Sequence, residues 1–154
     1  MFLPLFVITL CVLLDRFTKW IALHKLTHPV ELAPFLNLTL VFNKGFLFGL
    51  GNRWEGIIKE LLYLGIPTLF VLAVLYTTFR VKDKTLQTAL SLIAAGGIGN
   101  LLDRLLKGQV VDFIDFHVGR WHYPAFNVAD ICVSLGVILL LFYLLSHRKE
   151  SFNS

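Results

Sequence analysis

The hydrophobic pattern of the chain consists of four long apolar segments separated by polar stretches. Each segment has the length of about 20 residues that an α-helix needs to cross the hydrocarbon core of a bilayer. The pattern therefore predicts a membrane α-helical fold, one integral membrane domain over residues 1–154 built as a bundle of four transmembrane helices. The predicted spans are residues 3–23, 57–79, 85–106 and 128–146.

Two inserts between the predicted spans, residues 24–56 and 107–127, lack a helical pattern. In the first insert, apolar residues occupy every second position from Leu36 to Phe42. This period of two is typical of a β-strand. Because the open edge of a strand cannot face hydrocarbon, we expect both inserts at the membrane interface or outside it.

Small residues recur at intervals of four in the third predicted span, at Ser91, Ala95 and Gly99. This spacing puts them on one face of a helix. Such a stripe lets another membrane helix approach closely, because no large side chain separates the two backbones. The third span is therefore expected to pack at the centre of the bundle.

The composition agrees with a membrane protein and excludes a soluble one. Hydrophobic residues make up 56% of the chain and charged residues 16%, against about 25% charged in soluble domains. The 14 Lys and Arg residues form no basic stripe, which argues against a nucleic-acid partner. Cys11 and Cys132 lie within apolar runs and are interpreted as small buried residues rather than as a disulfide or metal ligands.

Four spans would put both termini on one side of the membrane. The basic turn with Arg80, Lys82 and Lys84 and the tail with Arg148 and Lys149 would then be cytoplasmic, if short loops decide the orientation. The opposite side, however, carries nine Lys and Arg residues against these five. Charge alone therefore leaves the orientation open.

The acidic residues near the span ends are the main candidates for function, because ionisable groups in or beside a membrane are costly and are usually kept for a purpose. In the four-span arrangement, five aspartates gather at the same membrane face. This convergence predicts a functional site there. The five are Asp15, Asp103, Asp112, Asp115 and Asp130.

Asp112 is the better catalytic candidate of the two aspartates in the second insert. Strand alternation puts Asp112 on the apolar face with Val110, Ile114, Phe116 and Val118, and puts Asp115 on the other face with His117. A carboxylate surrounded by apolar side chains has a raised pKa through desolvation, as an acid catalyst requires. No H-E-x-x-H motif is present, and we expect no metal.

Asp130 allows two interpretations at the start of the fourth span. Asn127 followed three residues later by Asp130 is typical of a capping box, in which the two side chains bind the backbone at a helix N-terminus. Alternatively, Asp130 points into the bundle toward Asp112. Two adjacent carboxylates share one proton, and such a pair can activate water for attack on an amide without a metal.

The remaining polar residues near the aspartates also allow more than one interpretation. Asp15 and Lys19 are four apart on a helix and can form a pair, either as an ordinary interfacial ion pair or as part of a site for a substrate headgroup. Asn100 and Arg104, also four apart, can present their polar groups together. Asp103 is placed to neutralise Arg104.

Five short motifs in order along the chain resemble those of the bacterial lipoprotein signal peptidases (signal peptidase II). The resemblance covers nearly the whole chain, and the motifs lie between four apolar spans as in that family. They are Asp15-x-x-Thr18-Lys19, Asn43-x-Gly45, Gly96-Gly97-x-Gly99-Asn100-x-x-Asp103-Arg104, Val111-Asp112-Phe113-Ile114 and Phe126-Asn127-x-Ala129-Asp130.

The resemblance implies an intramembrane aspartyl endopeptidase that needs no cofactor. Such enzymes remove the signal peptide from diacylglyceryl-modified prolipoproteins and cleave just before the lipidated cysteine. Matching positions make Asp112 and Asp130 the catalytic pair. Supporting or substrate-binding roles are implied for Asp15, Lys19, Asn43, Gly45, Asn100, Asp103, Arg104, Asn127 and Ala129.

The resemblance also implies where the enzyme lies. It predicts a monomer in the bacterial cytoplasmic (inner) membrane, in contact with membrane lipid, with both termini in the cytoplasm. A small extracytoplasmic β-cradle from the first insert and a second periplasmic-side loop would cover an active site near the outer leaflet. The chain departs from the family at Phe46 and Leu47, where small residues are usual, and at Arg16, where glutamine is common.

Two other classes of function compete with this interpretation. A small proton-coupled transporter would use buried carboxylates as a relay across the membrane, and a structural assembly subunit would use only the stripe of small residues. All acidic residues except Asp83 and Glu150 lie near one face or in an insert. This distribution disfavours a transmembrane relay.

Overall fold

The computed structural model describes residues 2–44 and 56–152. A helix covers each of the four predicted spans, and four strands form one sheet. The helices are α1 (Phe2–Lys25), α2 (Gly56–Glu60), which runs through a π-helical turn (Leu61–Gly65) into α3 (Ile66–Arg80), α4 (Lys84–Lys107) and α5 (Val128–Phe152). The strands are β1 (Val30–Ala33), β2 (Leu36–Asn43), β3 (Val110–Val118) and β4 (Trp121–His122).

Three helical segments among the described residues are long and apolar enough to cross a membrane. They are Gly56–Arg80, Lys84–Lys107 and Val128–His147. Large apolar side chains on their outer surfaces, such as Leu69, Leu72 and Phe142, are exposed. A water-soluble protein rarely exposes apolar surface on this scale, whereas lipid would cover it.

The π-helical turn precedes Pro67, which has no backbone N–H to continue an α-helical ladder. The hydroxyl of Thr68 donates to the carbonyl of Leu64 at 2.6 Å. Side-chain hydroxyls and local π turns of this kind allow proline inside membrane helices. The turn also contains Tyr63, whose side chain is buried against the sheet and α4.

Helix α4 lies at the centre of the bundle and contacts α1, α3 and α5. Its small residues Ser91, Ala95 and Gly99 are all buried, which confirms the predicted packing stripe. A Cβ atom on Gly99 would lie 2.8 Å from Oδ2 of Asp15, so only glycine allows α1 to approach α4 this closely.

The sheet is antiparallel, in the order β1-β2-β3-β4. Both predicted strand patterns are confirmed, and strand β2 pairs with β3 so that Val41 lies opposite Asp112 and Asn37 opposite Asp115. The expectation of a separate second loop beside the cradle is wrong. The second insert supplies β3 and β4 to the same sheet, because the free edge of β2 needs backbone hydrogen bonds.

A substitution at Gly136 on α5 tests the close packing of α4 and α5. A Cβ atom there would lie 2.7 Å from the carbonyl oxygen of Ala89 and 2.7 Å from Cγ1 of Ile93. Because a backbone atom cannot move aside, we expect Gly136→Ala to lower the free energy of unfolding by about 1–3 kcal/mol. Thermal unfolding in detergent micelles would measure the loss.

The matched control is Gly65→Ala. Its Cβ atom would meet only Cδ2 of Leu61, at an ordinary contact distance of 3.6 Å, and this variant should keep the wild-type melting temperature. A wild-type melting temperature for Gly136→Ala as well would contradict the close approach of the two helices.

Candidate active site

Asp112 lies near the start of β3, shortly after α4 ends at Gly108. Gly108 has the left-handed φ of 67° that often ends a helix, and it turns the chain into the strand. The Asp112 carboxylate is 3% exposed. It accepts hydrogen bonds from Nδ2 of Asn127 at 2.7 Å and from Nδ2 of Asn43 at 3.3 Å.

Burial raises the pKa of Asp112 to about 6, and the neighbouring charge of Asp130 contributes to the increase. The hydrogen bonds from Asn127 and Asn43 favour the ionised carboxylate and oppose this shift. The Asp112 carboxyl therefore loses its proton at a higher pH than a free aspartate, and the charge of Asp130 is one reason.

Asp130 caps the start of α5 and also bonds to α4. Its backbone N–H donates to Oδ1 of Asn127 at 3.0 Å, and its Oδ2 accepts from the backbone N–H of Asn127 at 3.1 Å. These reciprocal bonds form the predicted capping box at the start of α5. The other oxygen, Oδ1, faces the bundle and accepts from Nδ2 of Asn100 at 2.7 Å.

Asn127 joins the two carboxylates. Its side-chain Nδ2 donates to Asp112, while its backbone N–H donates to Asp130. The same Nδ2 lies 3.0 Å from Oδ1 of Asn100 and 3.3 Å from the carbonyl of Val111, and the residue is fully buried. Asp112 and Asp130 thus both bind Asn127, one through its side chain and one through its backbone, although they come from a strand and a helix.

A buried charged cluster, composed of Asp15, Arg16, Lys19 and Asp103, lies behind this pair. Nζ of Lys19 is 2.9 Å from Oδ2 of Asp15 and 2.9 Å from Oδ2 of Asp103. The predicted Asp15–Lys19 pair is therefore confirmed. Its interpretation as an ordinary interfacial ion pair is wrong, because α4 and α5 cover both side chains and leave each 1% exposed.

The charged cluster is bonded directly to the backbone beside the two candidate carboxylates. Oδ1 of Asp15 accepts from the N–H of Ala129 at 3.0 Å, and Oδ2 of Asp103 accepts from the N–H of Val111 at 3.2 Å. Ala129 directly precedes Asp130, and Val111 directly precedes Asp112. The cluster therefore positions both carboxylates through their backbones.

Arg104 does not pair with Asp103 as expected. Neighbouring residues on a helix point about 100° apart, so Asp103 faces α1 while Arg104 faces the π-helical turn. The guanidinium carbon of Arg104 lies 4.9 Å from the centre of the Tyr63 ring, a cation–π contact. Asp103 instead binds Arg16 and Lys19, with Lys107 at 3.7 Å.

Sequence reasoning did not identify Tyr63. Its hydroxyl donates to the carbonyls of Asn43 and Gly108, each at 3.3 Å, and so ties the end of β2 to the junction of α4 with β3. A tyrosine within a membrane span needs a polar partner. Its position four residues before Pro67, where the helix must deform, was the available signal.

An apolar groove of about 440 Å³ lies between the π-helical turn, α3, α4 and α5. Its polar lining residues, Asn100 and Arg104, are the two that the sequence predicted to act together. Asn100 also binds Asp130, so one residue of the groove lining contacts a candidate carboxylate. Its size suits an apolar ligand of moderate length.

Asp115, the fifth of the predicted aspartates, lies elsewhere. Asp115 bonds to Nδ1 of His122 at 2.9 Å on the opposite face of β3, where His117 stacks on His122. Alternation along the strand separates it from Asp112. Among the described residues, no group of three His, Cys, Asp or Glu side chains is arranged to hold a metal ion. Gly45, with the departures at 46–47, lies outside the described residues.

The fold is that of a bacterial membrane enzyme. A solved bacterial membrane enzyme superposes with a TM-score of 0.80 at 33% sequence identity, covering 96% of this chain and 90% of that one. A second superposes with a TM-score of 0.78 at 34% identity, covering 92% of each chain.

The sequence comparisons name the family. A family model described as signal peptidase (SPase) II matches residues 7–146. A lipoprotein signal peptidase of Coxiella burnetii is 41% identical over 88% of this chain and 85% of its own length. One from Polynucleobacter necessarius is 41% identical over 84% and 80%. The chain belongs to the signal peptidase II family, a family of proteases, which confirms the resemblance carried by the five motifs.

Lys19 tests the contribution of the charged cluster to stability. Lys19→Met would leave two buried carboxylates without the ammonium that they share. Removing one partner of a buried ion pair typically costs about 3–5 kcal/mol of the free energy of unfolding. We expect a loss of this size in thermal or denaturant unfolding in micelles.

Lys107→Met is the matched control, because Lys107 is 34% exposed and lies 3.7 Å from the same Asp103. Exposed pairs contribute about 0–1 kcal/mol. Equal stability of the two variants would contradict the assignment of Lys19 as the central cation.

Proposed function

We propose that Asp112 and Asp130 are the catalytic pair of an aspartyl endopeptidase that removes the signal peptide from diacylglyceryl-modified prolipoproteins, just before the lipidated cysteine. The observation that carries the proposal is the shared hydrogen bonding of both carboxylates by Asn127 in a buried centre. The chain's membership of the signal peptidase II family supports the reaction and the substrate class.

The two carboxylates act as one titrating unit with a single shared proton. Two negative charges in a buried site repel each other, so one carboxyl keeps its proton to a higher pH than a free aspartate does. We assign this proton to Asp112, whose pKa is about 6. Asp130, which accepts bonds from Asn100 and from the backbone of Asn127, is then the ionised base.

In the proposed reaction, ionised Asp130 removes a proton from a water molecule held between the pair, and the water oxygen attacks the scissile carbonyl carbon. Protonated Asp112 donates to the developing oxyanion. The tetrahedral intermediate then collapses, the C–N bond breaks, and a proton passes from the pair to the leaving amine. Each group works as an acid or a base at hydrogen-bond distance, which is the ordinary requirement for such catalysis.

The substrate would occupy the apolar groove beside the pair. Apolar side chains of the π-helical turn and α3, including Leu62, Ile66 and Phe70, line it together with Asn100 and Arg104. An apolar signal sequence or an acyl chain fits this lining, and the polar groups can bind the peptide backbone near the cleaved bond. Holding the substrate in place in this way supplies part of the rate enhancement.

For the membrane arrangement, we propose four spans with α1 as the first, both termini in the cytoplasm and the sheet on the outer side of the bacterial inner membrane. The carboxylates and the sheet share one end of the bundle, whereas the basic turn at Arg80 and Lys84 lies at the other. We propose further that the enzyme works as a monomer.

The amide variants of the catalytic pair test the proposal. Asp112→Asn and Asp130→Asn keep the shape and one hydrogen-bond acceptor but remove the ionisable group. We expect each to lower kcat by about a thousandfold or more, because acid–base catalysis by one residue contributes about 10²–10⁴. Cleavage of a diacylglyceryl-modified prolipoprotein by the purified enzyme in micelles would measure this.

The matched control for these variants is Asp115→Asn. Asp115 is on the same strand as Asp112 but on the opposite face, bonded to His122. It should keep wild-type activity. Full activity in either Asp112→Asn or Asp130→Asn would overturn the catalytic assignment.

The pH dependence gives a second test through Asn43. Its bond to Asp112 favours the ionised carboxylate and so lowers the pKa of Asp112. Asn43→Ala therefore raises this pKa, and the proton that the mechanism needs stays on Asp112 at higher pH. We expect the basic limb of the kcat/KM profile to move upward by about half a pH unit.

Asn37→Ala is the matched control, since Asn37 lies on the same strand opposite Asp115 rather than beside Asp112. Its profile should coincide with that of the wild type. An unshifted basic limb in Asn43→Ala would show that Asp112 does not hold the shared proton.

A further inference from the structure

The charged cluster poses a charge-balance problem that Lys19 alone does not solve. Asp15 and Asp103 are 1% and 0% exposed and together carry two negative charges. One lysine ammonium compensates one of them. An uncompensated charge in a buried site is strongly unfavourable, so a second cation is required.

Two further cations lie near these carboxylates, and Arg16 is the closer one, since Lys107 is 34% exposed and lies 3.7 Å from Oδ1 of Asp103. Its Nη2 lies 2.8 Å from Oδ1 of Asp103 and 3.1 Å from Oδ2 of Asp15, and it donates to the carbonyl of Gly99 at 3.3 Å. The side chain is 26% exposed, and a guanidinium remains charged at any pH at which the enzyme works. With Arg16, the four charges of the cluster sum to zero.

The orientation of these carboxylates matters for the proposed catalytic pair. The oxygens of Asp15 and Asp103 hold the N–H groups of Ala129 and Val111. The bonds of Arg16 in the described part of the chain go to Asp15, Asp103 and Gly99. Arg16 can therefore influence the catalytic pair through its contacts in the charged cluster and through the electrostatic field of its guanidinium charge.

We propose that Arg16 is a positioning residue for the catalytic pair. As the second cation of the charged cluster, it holds Asp15 and Asp103 in the orientation that fixes the backbone before Asp130 and Asp112, and it lowers the pH range in which the pair works. This inference rests on the proposed function of the pair.

The electrostatic field of the charged groups around the catalytic pair determines whether the activity profile moves to higher or to lower pH. The charged or titratable groups closest to it are Lys19 and Asp15 from α1 and Tyr63 from the π-helical turn. Asp103 and Arg104 of α4 stand behind them, against Lys19 and Tyr63. Without Arg16, the cluster has a net charge of −1. The pair then binds protons more tightly, and both limbs of the activity profile move to higher pH.

Three substitutions separate the charge of Arg16 from its hydrogen bonds. Arg16→Gln keeps a donor and loses the charge, so we expect kcat to fall about threefold while both limbs of the kcat/KM profile rise by about half a pH unit. Arg16→Lys keeps the charge and should keep the wild-type profile. Arg16→Leu loses both, and should show the same shift with kcat lowered about tenfold.

KM should stay within about twofold of wild type in all three variants, because Arg16 does not line the groove. The control is Arg80→Gln, which removes the same charge at the opposite end of the bundle, where Arg80 lies over Tyr76. Its pH profile should not move. A purely structural role of Arg16 would change the melting temperature but not the pH profile.

A wild-type pH profile for Arg16→Gln, or a displaced profile for Arg16→Lys, would overturn the inference. If Arg16→Gln fails to fold in micelles, Arg16→Leu takes its place, and a wild-type pH profile for Arg16→Leu overturns the inference equally. Asp112→Asn is measured in the same assay. If Asp112→Asn is inactive while Arg16→Gln has a wild-type profile, only the inference about Arg16 fails. If Asp112→Asn is active, the proposed function fails.

Discussion

The ammonium group of Lys19, shared at 2.9 Å between the buried carboxylates of Asp15 and Asp103, is the interaction on which the rest of the centre depends. In a medium of low dielectric constant, neither the cation nor the anions could remain charged without the others. The N–H of Ala129 donates to the other oxygen of Asp15, Oδ1, and the N–H of Val111 donates to the same Oδ2 of Asp103 that contacts Lys19. The carboxylates that balance the charge of Lys19 therefore also hold the N-terminus of α5 and the start of β3 in position.

Two asparagines connect this charged cluster to the carboxylate pair. Oδ1 of Asn100 accepts from Lys19 at 3.1 Å, while its Nδ2 donates to Asp130 at 2.7 Å. Asn127 then reaches Asp112. An amide is both a donor and an acceptor. It can therefore bind two charged groups at once and hold them in position without adding a charge of its own. A buried network of this kind is stable only when its members are satisfied together.

Several expectations from the sequence failed because closeness along the chain does not decide which side chains meet in the folded protein. Asp112 is buried as predicted, but not through strand alternation. Residues 110–113 are buried on both faces of β3, whereas Phe116 and Val118 on the Asp112 face are exposed. The partner of Arg104 was wrong, since adjacency in sequence does not bring side chains together on a helix. Asp15 and Lys19 were rightly paired, but their burial depended on helices distant in the chain.

Local rules in the chain thus account for the four helices, the strands and the capping box between Asn127 and Asp130, because each acts within a few residues. Folding decided the partners that lie far apart: Lys19 and Asn100 are separated by 81 positions, and Asn43 and Asp112 by 69. Such bonds form only where glycine-lined helix faces approach closely and bring the sheet over the end of the bundle. Spacing along a sequence does not encode that approach, since it arises from the packing of the whole domain.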